Sequence, residues 1–234
     1  MTAARRVSWG HLQNAWDLGG LPTASGVTRF GQIYRSMSPD DLDDRGWADV
    51  AGSGIATVVD LRNDYEVAVV TARPTTIDVI RCAIEDQGDA SFMADWGDRL
   101  GSPVYYAEVL RRWPELVAAA ISSVSDAAGP VLFHCGAGRD RTGMISAIIE
   151  ELVGVDRDAI LADYESGVRA YNHWLLSHES REKPAAPEVL NSRIHTARGE
   201  LAQFLDEIDV EEYLLAAGVS TDQLSRLRSR LSPG

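Results

Sequence analysis

One segment, Val131-Leu-Phe-His-Cys-Gly-Ala-Gly-Arg-Asp-Arg-Thr-Gly143, constrains the fold of this chain more than any other. Val131 to His134 is a short apolar run of the kind that forms a fully buried strand. Gly136 and Gly138 then permit a tight arc whose backbone angles other residues avoid. An apolar helix follows, expected over Thr142 to Val153. A buried strand feeding a helix through a short glycine turn belongs to an α/β layered sheet with parallel neighbours. The arc can turn successive amides toward one point, and the helix adds its unpaired N–H groups and positive dipole end. Such a junction suits an anion.

The rest of the chain fits the same architecture. Phe30 to Tyr34 reads as a short strand, Pro39 to about Ala51 as a helix, and Ile55 to Asp60 as a buried strand. Asn63 or Asp64 opens a short helix, and Thr76 to Ala83 alternates like a strand near an edge. Residues 85–102 carry Gly88, Gly97, Gly101 and several acids without periodicity, which predicts a mobile loop over a site. Pro103 to Ala127 has helical spacing, and from Asp156 onward the pattern is helical with breaks at 181–187 and at Gly218. The expected fold class is therefore α/β, a central, mostly parallel sheet flanked by helices, with a helical carboxyl-terminal extension. We expect one domain spanning 1–234, with the α/β core at about 1–155 and the extension at about 156–234.

Chemistry concentrates in the arc. Arg141 can pair bidentately with two oxygens of a tetrahedral anion. Cys135 stands where inward amides, a helix N-terminus and a guanidinium favour a thiolate, the nucleophilic form of sulfur. A sulfur nucleophile beside a phosphate cradle is the arrangement for displacement at phosphorus through a cysteinyl-phosphate, which water then hydrolyses. The plainer alternative is a structural cysteine at a strand end, but the two glycines and the Thr-Gly helix start give it little to explain.

The same passage resembles the active-site signature of the protein tyrosine phosphatase superfamily, in particular the bacterial group with a His-Cys-x-Ala-Gly-Lys-Asp-Arg-Thr-Gly loop. Asn14-Ala-Trp-Asp-Leu-Gly-Gly20, Tyr34-Arg-Ser36, Val58-Val-Asp-Leu-Arg62, Asp163-Tyr164 and Ala217-Gly-Val-Ser220 extend the likeness over nearly the whole chain. The resemblance implies a cysteine-dependent phosphatase of phosphotyrosine, with phosphoserine and phosphothreonine as further substrates. The alternatives are a phosphoinositide or small-metabolite phosphatase using the same chemistry, and a silent phospho-binding module. Arg139 stands where that group usually carries lysine.

The resemblance also implies roles. Gly136, Ala137, Gly138, Arg139 and Thr142 would bind substrate, with a solvated loop charge as the alternative for Arg139; His134 would brace the loop, and Asp140 would serve as general acid, with a loop-bracing carboxylate as its alternative. Asp60 competes for that last role from the carboxyl end of a predicted central strand, where α/β sheets place ligand crevices; pairing with Arg62 is its structural alternative. Arg35 and Arg62 could add positive potential or simply pair with acids.

Composition sets outer limits. A net charge of −13 argues against nucleic acid and anionic membrane surfaces as partners. No run reaches the roughly 18 apolar residues of a membrane span, so a cytoplasmic enzyme is expected. Two cysteines make no disulfide framework, though Cys82 could cap an oxidised Cys135. The histidines show no metal-ligand spacing, and neither metal nor cofactor is expected. The expected partner is a phosphorylated protein or small phosphate ester; oligomeric state is not legible.

Overall fold

The structure, a computed structural model, describes residues 5–67 and 73–233. In chain order it runs β1 (Ala15–Asp17), a small hairpin of β2 (Pro22–Thr23) and β3 (Gly26–Val27), β4 (Ile33–Ser36), α1 (Asp44–Gly52), β5 (Thr57–Asp60) and β6 (Asp78–Arg81). There follow α2 (Ala90–Trp96), α3 (Tyr106–Arg112), α4 (Pro114–Asp126), β7 (Val131–His134) and α5 (Asp140–Leu152). The remainder is helical: α6 (Arg157–Trp174), α7 (Pro187–Glu207), α8 (Val210–Ala216) and α9 (Thr221–Leu231).

The main sheet has the order β1-β4-β7-β5-β6. β4, β7, β5 and β6 are parallel, and only β1 runs antiparallel, against β4. β7 lies in the middle with all four residues buried, as expected of a strand covered on both faces. Its neighbours bring Ser36 and Asp60 level with His134. The carboxyl end of β7 therefore opens between two strand ends, the position where α/β sheets hold ligands. The expected fold class holds.

Several boundaries differ, each for a local reason. The strand expected at Phe30 begins at Ile33 instead, because the Phe30 ring covers the backbone of Gly19 and Gly20 and Gly31 takes φ +77°. The helix expected from Pro39 begins at Asp44, after Asp43 caps it by accepting from the Gly46 N–H. The long helix expected from Pro103 is broken at Trp113, whose φ −133° and ψ 53° precede Pro114. Proline disfavours a helical residue before it and starts a new helix readily.

Residues 85–102 are not the structureless loop the glycines suggest. Asp89 caps α2 by accepting from the Ser91 and Phe92 amides. Phe92 is fully buried, edge-on to Trp113 at 4.9 Å between ring centroids. About two turns of helix anchored chiefly by Phe92 leave too few positions for a period to register.

The carboxyl-terminal helices share the main core. Leu201, Phe204, Leu224 and Leu227 belong to one buried cluster with Phe133, Ile145 and Ile148. Among the described residues, no helix is long and apolar enough to cross a membrane.

Candidate active site

The segment from Cys135 to Arg141 leaves β7 and enters α5, and its carbonyls are individually held from outside. His134 Nδ1 lies 3.0 Å from the Cys135 carbonyl. The Ser38 amide donates to the Gly136 carbonyl at 2.9 Å. Asn14 Nδ2 donates to the carbonyls of Ala137 and Gly138 at 2.9 and 3.3 Å. Arg35 Nη2 donates to Gly138 as well, at 2.8 Å, and the Tyr106 hydroxyl donates to the Asp140 carbonyl at 2.8 Å.

This pattern has a geometric consequence. In a trans peptide the N–H points opposite to the preceding C=O. Carbonyls fastened outward therefore turn the following amides inward. Among the described residues, none of the amides from Gly136 to Arg141 donates to a protein acceptor. Amides are rarely left unpaired away from water, and a run of unpaired ones along one arc suits an anion.

Gly138 is what lets the arc lie so close to β4. It adopts φ +67°, and a Cβ there would stand 2.4 Å from the Met37 nitrogen and 2.6 Å from the Ser36 carbonyl carbon. Behind it, Arg35 also reaches Asp163 at 2.5 Å, and Arg5 reaches the other Asp163 oxygen at 2.5 Å. The sequence reading left Arg35 open between local potential and salt bridge; it is fully buried and braces the loop from behind.

Cys135 lies at the base of the arc, 2% exposed. Arg141 is turned inward, close enough for the charge at Cys135 to act on it. Its Nη1 and Nη2 meet the two oxygens of Glu66 at 2.5 and 2.6 Å, and its Nε lies 3.6 Å from Glu85 Oε1. Burial works against the guanidinium charge, but the bonds to Glu66, with Cys135 next in effect, hold its pKa above the ordinary value.

A pocket of about 280 Å3 opens above these groups, lined by Glu66, Glu85, Tyr105, Asp140 and Arg141 among others. Asp140 is part-buried there, its side chain 14% exposed, and burial raises its pKa against the opposing pull of Arg139. Asp60 is in a different setting. Arg62 takes both its oxygens, at 2.9 and 2.8 Å, and also bonds Asp40 at 2.6 Å. Despite burial, the bonds from Arg62 and the field of His134 hold Asp60 below the usual carboxylate range. Asp60, Arg62 and His134 line a separate, narrow crevice with Asp40. Burial lowers the pKa of His134, leaving its imidazole to brace the loop.

Two of the expected substrate-binding residues have further contacts of their own. The Thr142 side chain is fully buried, and its Oγ1 has no hydrogen-bond partner among the described residues, because the first turn of α5 already enters the core. Arg139 does not simply point at substrate. Its Nε bonds both Asp140 oxygens at 3.1 and 3.0 Å, its Nη1 bonds Glu182 at 2.8 Å, and it lies over the Tyr171 ring. Cys82 is an ordinary buried cysteine, 3.3 Å from Ser123 Oγ.

Glu66, Glu85, Gln87 and Tyr105 line the pocket and escaped the sequence reading. Only Glu66 carried a signal: Asn63 followed three residues later by Glu is a capping-box spacing, and Glu66 Oε2 accepts from the Asn63 amide at 2.8 Å.

With this geometry in view, comparison with known proteins is decisive. The profile described as "Tyrosine phosphatase family" matches residues 7–233. The chain belongs to the tyrosine phosphatase family. Hydrolysis of phosphate esters is that family's chemistry. This phosphatase is 29% identical over 184 residues to the Triple specificity protein phosphatase PtpB of Mycobacterium tuberculosis, covering 65% of the chain and 67% of the relative. It is 31% identical over 173 residues to a tyrosine-protein phosphatase of Cupriavidus necator, covering 65% and 59%. To the Tyrosine-protein phosphatase of Nostoc commune it is 27% identical over 201 residues, covering 78% and 68%. The matches thus span roughly three-fifths to two-thirds of these relatives' length. Among solved structures, TpbA of P. aeruginosa in complex with pTyr is similar at 20% identity and TM-score 0.41, covering 81% of this phosphatase and 88% of that chain.

Proposed function

We propose that this phosphatase hydrolyses phosphotyrosine in proteins through a cysteinyl-phosphate, with Cys135 as nucleophile, Arg141 and the Gly136–Arg139 amides as phosphate ligands, and Asp140 as general acid. The observation that carries the reading is the set of outward-fastened carbonyls around Cys135. They leave inward amides and one guanidinium to meet the charge of the transferring phosphoryl group.

In the first step the Cys135 sulfur forms a bond to phosphorus as the bond to the leaving oxygen breaks. Asp140 gives its proton to that oxygen, and its raised pKa keeps the acid form available at higher pH. The resulting Asp140 carboxylate then accepts a proton from water, which attacks phosphorus, frees the sulfur and releases inorganic phosphate. Asp60 is tied in two bonds to Arg62 and is the weaker candidate for either proton transfer.

A second reading, broader specificity, rests on a cavity of about 720 Å3 beside the first, which shares Gly101 and Arg139 with it. Its tyrosines, Tyr164 and Tyr171, and its arginines could receive leaving groups other than tyrosine. The Mycobacterium tuberculosis relative is itself named for triple specificity.

The test is turnover of p-nitrophenyl phosphate in chelator, followed by a kcat/KM panel over phosphotyrosine and phosphoserine peptides, phosphoinositides and sugar phosphates. We expect Cys135→Ser to abolish turnover and vanadate to block it. Turnover that chelator removed and magnesium restored would overturn the mechanism.

A further inference from the structure

Two carboxylates approach the Arg141 guanidinium, and only one of them is occupied by it. Glu66 covers the Nη1 and Nη2 edge with two short bonds. Glu85 faces the other edge, with Oε1 3.6 Å from Nε. That Nε edge is the one left to a phosphate oxygen once Glu66 holds the rest of the fork.

We propose that Glu85 is a further substrate-contacting residue, a neutral carboxylic acid that donates a hydrogen bond from Oε2 to a non-bridging oxygen of the bound phosphate. The proposal rests on the phosphatase reading above and adds to its binding groups.

The geometry sets which oxygen carries the proton. Glu85 Oε1 accepts from Gln87 Nε2 at 2.5 Å and faces the Arg141 Nε donor, so it is the carbonyl-like oxygen. Gln87 is fixed in that sense because its own Oε1 accepts from the Tyr65 hydroxyl at 2.7 Å. Oε2 is buried and has no hydrogen-bond partner among the described residues. The residue is 1% exposed and lines the pocket that holds Asp140 and Arg141. A buried O–H without an acceptor needs one, and in this pocket the incoming phosphate supplies it.

The surrounding charges agree. Burial raises the pKa of Glu85, Arg141 and the Gln87 bond oppose the rise, and Asp140 and Glu66 add to it. Tyr105 and Tyr65, on flanking turns, feel Glu85 but bring no charge near neutral pH. Glu66 goes the other way: its bonds from Arg141 hold it ionised in spite of burial. Two carboxyls on one guanidinium are thus separated into an ion and an acid, the usual resolution of crowded like charges. An ionised Glu85 would instead repel a phosphate dianion.

Sulfate is the probe, because it stays a dianion across neutral pH and cannot be hydrolysed. Its Kd is measured by calorimetry on the full chain for wild type, Glu85→Gln and Glu85→Ala. We expect wild-type affinity to fall with rising pH by at least about fivefold more than that of Glu85→Gln, whose amide donor does not titrate. Glu85→Ala should bind sulfate about tenfold more weakly than wild type at the acidic end of that series. Parallel pH profiles for wild type and Glu85→Gln, or undiminished binding by Glu85→Ala, would overturn the assignment. Binding does not depend on turnover, so the result bears on Glu85 separately from the hydrolysis assay.

Discussion

Asp140 and Asp60 carry the same side chain in opposite surroundings, and the difference decides what each can do. Asp140 lines the pocket with a pKa raised by burial, whereas Asp60 is locked to Arg62 and ionised. On a phenolic phosphate, Asp140→Asn should lower kcat about 100-fold or more and remove the basic limb of the pH profile. That limb should lie above the ordinary carboxyl range, since a raised pKa keeps the proton in place as pH climbs. Asp60→Asn should leave the limb where it is and weaken chiefly the fold around Arg62. Near-normal turnover by Asp140→Asn would refute the assignment. Motif position already favoured Asp140 over Asp60; burial and pairing, neither of them written in a linear pattern, add a physical ground for the choice. Glu85 was harder still, one of two adjacent acids just after the apolar Ile84, with nothing in the chain nearby to tie it to Arg141.

The strand, arc and helix from Val131 to Leu152 were legible because every part is contiguous. A buried run, two glycines and an apolar helix leave few other conformations open. What was not legible comes from other elements. Glu66 follows β5 and Glu85 follows β6, and sheet order alone brings them to Arg141. The helix α2 was missed because Asp89 and Phe92 secure it without a repeating face. The close seat of the arc on β4 makes its own prediction. Gly138→Ala would force a Cβ to within 2.4 Å of the Met37 nitrogen while holding φ +67°. Neither conflict can be relieved by a flexible side chain, so we expect a loss of about 2 kcal/mol or more of stability and no measurable sulfate binding. Thermal melts and calorimetry on the variant would settle it; an unshifted melt with normal binding would contradict the account.

At the scale of the molecule, charge is arranged in buried groups rather than spread as a basic face, which is how a chain of net charge −13 can hold an anion. One such group lies behind the arc, where Arg5 and Arg35 share Asp163 and Glu150 stands beside them. Glu150 is 1% exposed, and neither carboxyl oxygen has a hydrogen-bond partner among the described residues. Burial first, then repulsion from Asp163, raises its pKa well above the usual value. A carboxyl with a raised folded pKa stabilises most at low pH, below its unfolded value, and loses that contribution as pH rises through the folded one. Glu150→Gln should therefore gain on wild type with rising pH, by on the order of 1–3 kcal/mol between about pH 5 and pH 8. Denaturant titrations of both proteins at the two pH values check it, and a constant difference would refute it. The arc is also fastened from the front of the chain, through Asn14 directly and through Arg5 by way of Asp163 and Arg35. A protease clipping just ahead of Trp16 would thus spare every reacting atom and still silence the enzyme, because the stays that keep its amides aimed would leave with the severed piece.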